Sequence, residues 1–102
     1  MKRLVITRSA ARDLAGIWEY IAVDSIDAAD RVRNELELAM YKLCEMPGMG
    51  HQRSDIANPS YRFWLVYSYL IAYRVRGGVL YVSRVVHGAK DLRRLFPKRH
   101  RR

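Results

Sequence analysis

The sequence predicts an α+β domain in which a helical hairpin covers one face of a mostly antiparallel sheet and a flexible basic C-terminal tail follows. Three observations carry this. Apolar residues recur at helical spacing through the first half of the chain, and beyond Pro59 the period changes to two. Within that second pattern Gly77-Gly78 supplies the positive φ angles of a two-residue hairpin turn. The element order is β-α-α-β-β-β, read as a single domain over residues 1–102.

Leu4-Val5-Ile6 is a short β-prone run that ends at polar Thr7-Arg8-Ser9, and Ser9 is the expected N-cap of a first helix. Ala10, Leu14, Ile17, Trp18 and Ile21 share one face of that helix, with Arg12, Asp13 and Glu19 pointing elsewhere. Asp24-Ser25-Ile26-Asp27 breaks the pattern and offers cap side chains, and acidic Asp27 and Asp30 suit the positive end of a second helix. Its stripe is Ala29, Val32, Leu36, Ala39, Met40 and Leu43, and Pro47-Gly48 ends it. So short a link predicts an antiparallel helical hairpin.

A polar loop punctuated by Gly48, Gly50 and Pro59 follows, and then three β-patterned runs over 61–67, 69–76 and 79–87. Connections this tight require antiparallel neighbours. Strict alternation groups Tyr69, Ile71, Tyr73 and Val75 on one face of the middle run, and in the last run sets Leu80, Val82, Arg84 and Val86 opposite Val79, Tyr81, Ser83, Val85 and His87. The arginine- and lysine-rich end, residues 96–102, is expected to be mobile when alone.

Of the 102 residues half are apolar or aromatic, enough for a core, and no run reaches the length of a membrane span. The start of the chain, Met1 to Ile6, runs directly into Thr7-Arg8 instead of a signal-peptide apolar region, so a cytoplasmic location is expected. Cys44, the only cysteine, reads as a small buried thiol beside the second helical stripe. The net charge of +9 is divided unevenly: residues 1–46 carry −1 and residues 47–102 carry +10. Such a basic half attracts polyanions or acidic protein partners.

No nucleotide-binding glycine loop or metal-ligand cluster is present, and no cofactor is expected. What remains is a group of cations with one histidine on the strands: Arg62, Arg74, Arg84 and His87, with His51 and Arg53 in the loop before them. Two readings of this group stand open. In one, the chain cleaves RNA without a metal, His87 serving as base or acid while Arg62 and Arg84 clamp the phosphate. In the other, His87 bonds the turn and the arginines flank strand edges or face an acidic partner.

Several segments carry a family resemblance: Ala10 to Ala22, Asp27 to Val32, Pro47-Gly48-Met49-Gly50 with Arg53, Tyr69 to Arg74, and Arg84-Val85-Val86-His87-Gly88-Ala89-Lys90-Asp91-Leu92. In their order and spacing the chain resembles the ParE/RelE toxin superfamily of bacterial toxin-antitoxin modules, closer to the ParE branch. The resemblance implies a growth-inhibiting toxin neutralised by a small antitoxin whose acidic C-terminal segment wraps its surface. ParE-like members act on DNA gyrase, trapping a cleaved-DNA complex, without a catalytic site of their own. RelE-like members cut messenger RNA on the ribosome, and that branch tends to carry a tyrosine near the C-terminus, whereas here none follows Tyr81. The expected contacts to target or antitoxin are Arg53, Arg62, Arg74, Arg84, Lys90, Arg93, Arg94, Lys98 and Arg99.

Overall fold

A computed structural model of the chain describes residues 3–96. The elements run β1 (Arg3–Ile6), α1 (Arg8–Ala22), α2 (Ile26–Glu45), a short 3-10 turn (Pro47–Met49), β2 (Arg62–Val66), β3 (Tyr69–Arg76), β4 (Val79–His87) and α3 (Gly88–Leu95). The four strands form one sheet in the order β1-β4-β3-β2. β1 lies parallel to β4, and the other pairs are antiparallel. The expected α+β architecture is therefore present, with α1 and α2 packed together on one face.

The first helix is capped differently from the sequence expectation. Thr7, in extended conformation, accepts from the Ala10 amide at 3.2 Å, while Ser9 lies exposed within the first turn. The reason is tertiary: Thr7 continues β1 against β4, its amide donating to the Val82 carbonyl at 3.1 Å and its hydroxyl lying 3.0 Å and 3.1 Å from the Val82 and Ser83 carbonyls. A residue already held on the sheet is the better cap. Ser25 caps α2 as its position suggests, accepting from the Ala28 amide at 3.1 Å. Trp18 on α1 donates to the Asp30 carboxylate on α2 at 2.8 Å and ties the hairpin together.

The helical stripes and alternate strand residues meet in one core, where Leu36, Met40, Leu43, Ile71, Tyr73, Leu80 and Val82 are fully buried. Each such aliphatic side chain contributes about 1.5–3 kcal/mol from burial. Cys44 belongs to this core, and burial, followed by the nearby Glu45 charge, pushes its thiol pKa upward.

Strict alternation fails in β4, and the failure has a purpose. Ala72 pairs with Arg84 whereas Tyr73 pairs with Val82, so Ser83 forms a bulge. Without it the phase of Leu80 and Val82 would carry Arg84 into the helix-side core. With it Val85 takes that place, and Val86 turns to the opposite face. The predicted grouping of Leu80, Val82, Arg84 and Val86 is thus corrected by one inserted residue.

A second core lies on that opposite face, built from Ile56, Phe63, Ala72, Val86, Leu92 and Phe96. Its cover is α3, a helix where the sequence suggested only the start of a tail. Gly88, at φ 73°, permits the chain to turn out of β4, a conformation costly for any residue with a Cβ. Leu92 and Phe96 then bury, the Phe96 ring meeting Tyr61 and Phe63 edge-on at 5.1 Å and 5.5 Å. Residues 97–102, the rest of the expected tail, lie outside the described residues.

Candidate functional site

The pairing of β1 with β4 stops at Ile6–Val82, which leaves the rest of that β4 edge without a strand neighbour. Asp13 of α1 takes over. One of its carboxylate oxygens accepts from the Val85 amide at 2.9 Å and from Arg84 Nε at 2.7 Å, and the other accepts from Arg84 Nη2 at 2.9 Å. This two-pronged pair is half-buried, with side-chain exposures of 32% for Arg84 and 16% for Asp13. The carboxylate hydrogen bonds raise the Arg84 pKa, burial opposes them, and the Asp13 charge adds to the rise, so the guanidinium is held cationic.

Beside the pair a groove of about 470 Å³ runs between α1 and the end of β4. Ile17, Tyr69, Val85 and Val86 give it apolar walls, and Arg12, Arg84 and His87 give it a basic side. His87 is exposed and meets the Tyr69 ring edge-on at 5.1 Å. Burial, with the nearby Tyr20, raises the Tyr69 pKa, so its hydroxyl stays neutral. Gly16 also lines the groove, and a Cβ built on it would meet nothing within 4 Å. The chain's own packing therefore does not require a glycine there.

The remaining predicted contacts are dispersed. Arg62 donates to the Gly50 carbonyl at 2.8 Å, clamping the loop that also receives the Tyr73 hydroxyl. Arg53 pairs with Asp55 at 3.1 Å and 3.2 Å, and the Arg74 guanidinium stacks 5.3 Å above the Tyr61 ring. Arg94 is exposed on α3. The side chains of Lys90 and Arg93 lie outside the described set, as do residues Lys98 and Arg99.

The structure does not bring Arg62 together with Arg84 and His87. Arg62 lies opposite Tyr73 and His87 opposite Tyr69, about 13 Å apart along β3 at the usual rise per residue. Both Arg62 and Arg84 are engaged with acceptors of the chain itself. Among the described residues no group of three or more His, Cys, Asp or Glu converges as metal ligands, and no helix is long and apolar enough to cross a membrane. The arrangement is an apolar groove with a basic side.

Helical periodicity sets Asp13 off the apolar face of α1 and gives Gly16 and Tyr20 no role of their own. The only signal for Asp13 was its place inside the Ala10 to Ala22 family segment, because its partners lie more than 70 residues away.

The family model described as ParE toxin of type II toxin-antitoxin system, parDE, matches residues 4–92. No curated protein matches the chain in sequence. Among solved structures, the one titled "Chromosomal ParDE TA system from P. aeruginosa" is similar with a TM-score of 0.73 and 22% identity, over 86% of this chain and 97% of that one. At that identity the likeness is one of fold.

Proposed function

Because the chain belongs to the ParE toxin family of type II toxin-antitoxin systems, we propose that it arrests growth by inhibiting DNA gyrase until a cognate antitoxin neutralises it. The observation that carries this reading is the family match itself, which extends from β1 into α3. The separation of Arg62 from Arg84 and His87, which share the groove, agrees with a toxin that acts by binding. The test is a supercoiling reaction with purified protein: loss of supercoiling and accumulation of a cleaved-DNA complex are expected, both relieved by the antitoxin. Untouched supercoiling at molar excess, with transcript cleavage in a parallel translation reaction, would transfer the protein to the ribonuclease reading.

The antitoxin segment that suits the groove is acidic with apolar anchors, ordering as it binds. Ile17, Tyr69 and Val85 receive the anchors, and Arg12 and His87 meet the acids. Gly16 gives the discriminating experiment. Gly16→Ala removes a glycine from a helix interior and should stabilise the free protein by roughly 0.5–1 kcal/mol. The added methyl projects into the groove, so antitoxin affinity measured by calorimetry should fall. A higher melting temperature with unchanged affinity would show that the antitoxin sits elsewhere.

A further inference from the structure

The outer face of the sheet, opposite the helical hairpin, is only half covered. α3 and the loop before β2 close it over Phe63, Ala72 and Val86. At the other end two rows run across three strands in register: Val5, Tyr81 and Arg74 in one, Arg3, Val79 and Arg76 in the next. Arg3 and Arg76 are exposed, and Tyr81 and Arg74 are half-buried. Their neighbours Leu4, Ile6, Leu80, Val82 and Tyr73 face the helix-side core, which fixes these two rows on the outer face.

From this face we infer that the chain binds single-stranded nucleic acid directly, with Tyr81 as the stacking platform and Arg3, Arg74 and Arg76 holding the phosphates. Charge segregation is the first support. Of the ten acidic residues, eight lie on α1, α2 and the link between them, across the sheet from these rows. None of the four strands contains an aspartate or glutamate. A surface whose ionised groups are all guanidinium attracts a polyanion, and arginine grips phosphate through two donors at once.

The second support is spacing. Adjacent strands lie about 4.8 Å apart and alternate residues of one strand about 7 Å apart. The three cations therefore surround Tyr81 at distances that one nucleotide and its flanking phosphates span, and Arg74, stacked on the Tyr61 ring, keeps its guanidinium edge for a phosphate. Stacking requires an unpaired base, because a duplex hides its base faces, and this selects a single strand. The inference does not rest on the gyrase reading and is tested with no gyrase present.

A labelled 20-nucleotide single strand titrated with purified protein should show saturable anisotropy. Three phosphate contacts predict that log K falls with log salt at a slope of about −2. Arg76→Ala should reduce that slope by about 0.7. Tyr81→Ala should weaken binding by roughly five- to a hundredfold, with Tyr81→Phe retaining it. Should Tyr81→Ala fail to fold, the double variant Arg3→Glu with Arg76→Glu decides, since both side chains are exposed; its binding should be lost. Absence of binding at low salt, binding undiminished in that double variant, or equal affinity for the matching duplex each overturns the inference.

Discussion

Gly50→Ala is expected to destabilise the protein by about 2–3 kcal/mol, near the upper end of the ordinary cost of overpacking a core. The glycine has an unexceptional backbone, φ −72°, so the penalty is steric. A Cβ at position 50 would stand 2.7 Å from Cε1 and 2.8 Å from Cζ of Tyr73. That ring cannot step aside. It is fully buried, and its hydroxyl accepts from the Gly50 amide at 2.9 Å and donates to the Pro47 carbonyl at 2.6 Å. Burial raises the Tyr73 pKa despite lowering influences from the Gly50 hydrogen bond and Arg62, which keeps the hydroxyl protonated as a donor. Urea unfolding should show a lower midpoint at unchanged m. In a Tyr73→Leu background the alanine should cost much less, because the clashing atoms are gone. A Gly50→Ala variant within 0.5 kcal/mol of the parent would sink this account.

Asp13→Ala should cost about 2–3 kcal/mol. The carboxylate receives three hydrogen bonds, and truncation leaves a β4 amide and a half-buried guanidinium without acceptors. Partial exposure of Arg84 holds the figure below that of a fully buried pair. Order matters more than size here. Arg84→Ala should cost less than Asp13→Ala, because Asp13 would still accept from the Val85 amide. Equal losses would mean that the ion pair alone is at stake and the strand-edge bond contributes nothing. The measurement is a pair of denaturation curves, with hydrogen exchange at Val85 reporting the amide directly.

Both residues had been visible in the sequence with different meanings. Arg84 stands out as a cation beside His87 and suggests phosphate chemistry, and Asp13 shows only as an acid off the apolar face of its helix. Joined, they close the edge that β1 leaves open and form one wall of the groove. Arg62 changed meaning in the same way, from a phosphate clamp to a clamp on the loop carrying Gly50. The sheet face around Tyr81 was legible as alternation, yet its exposure depended on how far α3 reaches across the sheet.

Local pattern alone determined the two helices, the hairpin turn at Gly77-Gly78 and the separation of acidic helices from basic strands, since periodicity and turn chemistry act over a few residues. Tertiary structure decided the rest: the Thr7 cap, the Ser83 bulge, the Asp13–Arg84 pair, the Tyr73–Gly50 contact and the folding of residues 88–95 as a helix. Each of these depends on partners brought together from distant parts of the chain. The sequence near Arg84 lists donors and acceptors without saying which will meet, and only the packed sheet and helices make that choice.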